Sequence, residues 1–247
     1  MRPRLSDALR GEWTKLRTSP GAAWSVLAIA VATAGLSALA VGSVTCPCAT
    51  DTMKLTLSGV QLGQAVAAVF AVVLLGGEYG TGMITVTLAA LPDRVSVLAA
   101  KATLVLGLVG GAGAVGVGAA WLIGRAVLGD DLGPGAVLRP VVGSVLYLML
   151  VALLGLGAAA VARASAAAIG VVLGLLYIGP IVTAMVSDPD WQRHLRQVLP
   201  ADAGLAVQAT INLDDLPVEP WHGLGVLALW TVGTLLLGAF LLHRRDA

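Results

Sequence analysis

Six stretches of this chain, at about 22–44, 60–77, 102–123, 141–162, 166–186 and 223–242, run close to bilayer length with almost no ionisable side chain. An α-helix rises 1.5 Å per residue, so crossing ~30 Å of hydrocarbon takes about 20 apolar residues. Within lipid, a lone apolar segment must satisfy its backbone internally, which means helix. A water-soluble fold would need a polar coat over six such helices, and the chain has none to offer. Only 12% of its 247 residues are charged and the mean hydropathy is +0.90, against about 25% charged in soluble domains. The expectation is an all-α, polytopic membrane protein: an N-terminal segment at 1–20, then a six-helix transmembrane domain at 21–247 in contact with the lipid bilayer.

Six crossings put both ends of the chain on one side. That side carries Arg2, Arg4, Arg10, Lys15, Arg17, Arg94, Lys101, Arg163, Arg244 and Arg245, ten of the fifteen Lys and Arg residues. Basic residues accumulate on the cytoplasmic face. Both termini are therefore expected in the cytoplasm and the protein in the plasma (inner) membrane, as a multi-pass chain. The first apolar run exceeds the 7–15 residues of a signal-peptide core, so it reads as a retained first helix.

Ahead of that run, RLSDALRGEWTKLR (4–17) places Leu5, Leu9, Trp13 and Leu16 on one helical face. A basic amphipathic helix of this kind lies in the headgroup region, with Trp13 as an anchor; a flexible basic leader is the competing reading. Ser19-Pro20-Gly21 supplies the break before the first span.

Several motifs fail on context. Cys46 and Cys48 have no nearby ligands to complete a metal site. GAGAVG (111–116) matches a dinucleotide fingerprint but sits in mid-span without the required strand. It reads instead as small-residue helix packing, helped by Gly107 and Gly111, a theme repeated by Gly170 and Gly174. Gly179-Pro180 should bend the fifth span. The segment 187–221 is expected to hold small external helices, one capped by Asp190 and one over 201–211. Lys101 and Arg125 are expected to snorkel from span ends.

The spans hold no carboxylate or histidine for ion coupling, which disfavours a secondary carrier. They hold no nucleophile and base for hydrolysis, and the chain has no Walker motif. Neither enzyme activity, metal, cofactor nor nucleic-acid binding is expected of this chain.

One polar interruption remains, GGEYGTGM (76–83), followed by ITVTLAALPDR and then AAK (99–101). The short run after the glycines is too brief to cross a bilayer and reads as a short helix on the cytoplasmic side, between the second and third spans. Together with EWTKLRT (12–18) and LPADAG (199–204), this order of features resembles the permease subunits of ATP-binding-cassette transporters, in the type 2 exporter family. The resemblance spans the six-helix layout, with its specific motif confined to about 25 residues.

What the resemblance implies is a permease that pairs with a second copy or a paralogue, each half contacting a cytoplasmic ATPase subunit that holds the ATP and Mg. Segment 78–101 would contain the coupling helix, begun by Glu78, Tyr79, Gly80, Thr81, Gly82 and Met83 and closed by Leu91, Pro92 and Arg94. Thr81-Gly82 stands where the family often has Gly-Thr. The N-terminal helix would be the connecting helix, with Glu12, Trp13, Lys15 and Arg17. Glu78 is expected to pair with Lys15, Arg17 or Arg94. A non-transporting membrane anchor or sensor subunit is the alternative.

Overall fold

A computed structural model describes residues 5–43, 51–90, 93–129 and 134–244. Among them the regular structure is helical throughout, with no strand. Cys46, Cys48, Leu91 and Pro92 lie outside the described residues.

Six helices are long and apolar enough to cross a membrane: α2 (Pro20–Gly42), α4 (Val60–Gly80), α6 (Arg94–Leu128), α7 (Pro134–Ala162), the fifth span (Ser165–Met185) and α12 (Pro220–Arg244). The shorter elements are α1 (Leu5–Thr18), α3 (Thr52–Thr56), α5 (Met83–Ala90), α10 (Pro189–Val198) and α11 (Pro200–Leu205). The fifth span is interrupted: α8 (Ser165–Leu173) passes through a π-helical turn (Gly174–Ile178) into α9 (Gly179–Met185). Pro180 has no N–H to give to the preceding turn, and a widened π turn absorbs that loss.

Local chemistry fixes the starts of these helices. Asp93 caps α6, accepting from the backbone N–H of Val95 and Ser96 and from Ser96 Oγ at 2.6 Å. Asp188, rather than Asp190, caps α10: its carboxylate accepts from the N–H groups of Asp190 and Trp191. Pro189 at the first helical position moves the cap to the residue before it. The second external helix stops sooner than the expected 211. α11 passes into a 3₁₀ turn (Ala206–Gln208), and Ala209 is extended. There Thr210 donates from its N–H and hydroxyl to Asp51, tying the loop before α3 to the approach to α12.

α7 runs through the middle of the bundle, with Tyr147, Leu148, Val151, Ala152, Leu156 and Ala159 fully buried. It packs on α4, α6, α8 and α12. Inside the bundle, polar side chains pair with one another or with backbone carbonyls. Tyr147 donates to Gln64 Oε1, and Thr231 Oγ1 donates to the Leu227 carbonyl at 2.8 Å.

Small residues set the closest approaches, at different positions from those expected. A side chain at Gly107, Gly111 or Gly170 would meet nothing within 4 Å. A Cβ at Gly116 would lie 3.0 Å from the Ala30 backbone, one at Gly155 2.8 Å from the Ala68 carbonyl, and one at Gly157 2.9 Å from Leu235 N. The GAGAVG run therefore packs through Gly113 and Gly116, on the buried face of α6, while Gly107 and Gly111 face outward.

α6 has 35 residues, a length of about 52 Å at 1.5 Å per residue. It begins two turns before the expected span, and that extra length carries Lys101 into the end of the bundle where α1, α4, α5 and the C-terminal turn of α12 also meet.

Candidate functional site

α1 buries Ala8, Glu12 and Leu16, three residues four apart on one helical face. It shares only Leu16 with the Leu5–Leu9–Trp13–Leu16 face that the apolar pattern picks out. Trp13 is 48% exposed and points away from the bundle. The face turned inward thus presents a carboxylate at its centre.

That carboxylate meets Lys101. On α6 the buried stripe runs Val97, Lys101, Val105, Val109, again in steps of four, so the lysine has no route to solvent and is 0% exposed. The snorkelling expected of Lys101 does not occur. Its Nζ donates to Glu12 Oε2 at 2.5 Å and to Glu78 Oε1 at 2.9 Å. Glu78, in the last turn of α4, is 8% exposed, and Glu12 is 2% exposed.

Lys15 completes the group. Its Nζ donates to Glu12 Oε1 at 2.8 Å, to Glu78 Oε1 at 3.0 Å and to Thr87 Oγ1 at 3.0 Å. All three protons of this ammonium have an acceptor. Two carboxylates and two ammoniums thus form a ring of zero net charge, linking α1, α4 and α6 and, through Thr87, α5. Removing charges from water costs several kcal/mol per ion, so such a ring persists only when every charge has a close partner. Burial pushes the Glu12 carboxyl upward, but Lys101 and Lys15 outweigh it and hold the group below the usual carboxylate range. Burial likewise pushes Lys15 down, and its bonds to Glu12 and Glu78 raise it above the usual lysine value.

Of the three partners expected for Glu78, Lys15 is the one observed. Arg17 is exposed. Arg94 instead donates to the Leu242 carbonyl, holding the last turn of α12. Tyr79 stacks on Arg163, whose guanidinium carbon lies 5.6 Å from the ring centroid. Lys101 and Thr87 were missed as partners. The signal for Lys101 was available in the four-residue spacing of Val97, Lys101 and Val105. Thr87 carries no such signal, because its role depends on how α5 folds back.

That fold-back is made at Gly82. Gly80 ends α4 and Thr81 caps it, while Gly82 adopts φ +71°, a left-handed conformation that strains other residues. Of the Thr81-Gly82 pair, the glycine makes the turn. α5 then points Ile84 and Thr87 inward, leaving Met83 49% and Val86 67% exposed. Leu88 is half-buried, and Met83 faces out.

Among the described residues no group of His, Cys, Asp and Glu could hold a metal ion. Comparison with models of known protein families gave no match, and comparison with curated proteins gave none either.

Proposed function

We propose that the chain is the membrane-spanning permease subunit of an ATP-driven exporter of the ATP-binding-cassette class, with both termini in the cytoplasm of the plasma membrane. It works as a dimer, with a second copy or a paralogue, and separate cytoplasmic ATPase subunits supply ATP and Mg. The resemblance of EWTKLRT and GEYGTGMITVTLAALPDR to that family is the sequence support. The observation that carries the reading is the Glu12–Lys15–Glu78–Lys101 ring beneath α5. α5 presents Met83 and Val86 outward and is bonded through Thr87 to a rigid, buried joint of three other helices. A displacement of α5 by an ATPase is thereby passed to α1, α4 and α6 together, and the two permease halves reorient. A non-transporting anchor would use the outward face of α5 equally well, but it has no use for a buried ion ring joining that helix to two spans.

The test is reconstitution of the chain with the ATPase that co-purifies with it. Val86→Asp, on the outward face, should abolish permease-stimulated ATP hydrolysis without lowering the amount of chain in the membrane. Unchanged hydrolysis in this variant would remove α5 from the coupling path.

A further inference from the structure

After the fifth span ends at Met185, the chain turns back along the bundle. α10 begins at Pro189, after Val186, Ser187 and Asp188 alone. Two contacts fix where it ends. A Cβ at Gly179 would lie 3.2 Å from Leu199 Cδ2, and Trp230 Nε1 donates to the Val198 carbonyl at 3.0 Å. At 1.5 Å per residue, Gly179 is about 9 Å short of Met185, and Trp230 is about 15 Å inside the start of α12 at Pro220. α10 therefore descends along two spanning helices instead of capping them. α11 climbs back along α7: a Cβ at Gly204 would meet the Tyr147 ring, one at Gly143 would meet Val207, and Arg139 donates to the Ala209 carbonyl. Pro200, Ala201, Ala203 and Gly204 of α11 are buried, whereas α10 has no buried residue. The two form a re-entrant hairpin, with α11 as the inner arm and α10 as the outer one.

The outer arm is sided. Trp191, Leu195 and Val198, in steps of four and three, make one helical stripe, and Trp191 is 66% and Val198 59% exposed. Gln192, about a quarter turn round, faces the protein, where its amide donates to the Thr183 carbonyl. Arg193 and Gln197 fall on the side away from Trp191, the division of an interfacial amphipathic helix. The flanking spans also expose apolar side chains at the depth of Val198: Ile178 and Ile181 on the fifth span, and Leu229 on α12. Arg193 is exposed and lies about 7.5 Å nearer the end of the bundle than Val198, measured along α10, so its long side chain reaches the level of lipid phosphates.

We propose that α10 is seated in the membrane leaflet opposite α1, with Trp191, Leu195 and Val198 against the acyl chains of phospholipid. The stripe continues the apolar surface of the spans beside it, and the arginine behind it meets the charge of the headgroups. The partner of this surface is lipid, neither water nor a second copy of the chain. The inference rests on the spans crossing a bilayer and involves no ATPase, so its failure leaves the transport reading standing and the reverse also holds.

The experiment is tryptophan fluorescence of the full chain in nanodiscs of phosphatidylcholine brominated either near the glycerol or deep in its acyl chains. The Trp191 component is read as the difference between the native chain and Trp191→Phe, a change that should keep the melting temperature. That component is expected to be lost in lipid brominated near the glycerol and to survive iodide added to the buffer. In the double variant Trp191→Phe with Val198→Trp, the new component is expected to be lost more fully in the deeply brominated lipid, as a descending helix requires. Loss of the Trp191 component to iodide but not to brominated lipid would make α10 a water-exposed cap. Survival against both would mean that a second copy or another protein covers it. Either result overturns the proposal, as does a Val198→Trp component lost to iodide.

Discussion

Lys101 decides the stability of the site because both carboxylates lean on it. Lys101→Met leaves Glu12 and Glu78 buried with Lys15 as their shared cation. Breaking a buried pair in this way costs roughly 3–5 kcal/mol, read as a lower melting temperature in detergent. The double variant Glu12→Gln with Lys101→Met removes one charge of each sign and should recover part of that loss, the signature of direct coupling. The same ring predicts a pH window. Glu12 is held below the 4.5 of a free glutamate, so its contribution is present above that value and fades as pH falls through the lower folded one. Lys15 is held above 10.5, so its contribution is present below that value and fades as pH rises through the higher folded one. Melting temperature followed against pH should therefore form a plateau whose acid edge flattens in Glu12→Gln.

At the scale of helices, glycine positions separate packing from composition. A Cβ at Gly223 would collide with the Ala203 carbonyl between α12 and α11, whereas one at Gly225 would meet nothing. Gly223→Ala should destabilise by about 1–3 kcal/mol; Gly225→Ala should be neutral or stabilising by up to about 1 kcal/mol, as alanine is the better helix former. Thermal unfolding of the two variants side by side gives the comparison. The existence of the six long helices was legible in the sequence, because a charge-free run of bilayer length has few other uses. Which face each helix buries was less so. In a membrane protein both lipid and protein faces are apolar, so periodicity marks neither. That is why Gly107 and Gly111 misled, and why Ala8–Glu12–Leu16 on α1 lost to the more apolar face bearing Trp13. Glu78 stood out as a lone charge among glycines. Lys101 was disguised by its position at the edge of an apolar run, and only the full length of α6 shows it to be interior.

For the whole molecule, the ion ring lies where the N-terminal helix, the fold-back after the second span and the start of the third converge. Three segments distant in sequence are thus joined at one end of the bundle, and α12 is tied to the same end through Arg94. The exposed faces of α2, the fifth span and α12, bearing Trp24, Val31, Ile181, Met185, Leu229 and Leu236, are as apolar as lipid contact or pairing with a second copy demands. If this end is a mechanical joint, force must enter through α5 from a nucleotide-hydrolysing partner. The most direct measurement is affinity isolation of the full chain from its own membranes in mild detergent, followed by assay of Mg-dependent ATP hydrolysis. The account predicts a stoichiometric partner bearing a Walker motif, with hydrolysis that falls at least about tenfold when Val86→Asp replaces the native chain. Isolation of the chain with no nucleotide-hydrolysing subunit, or hydrolysis indifferent to Val86→Asp, would contradict it.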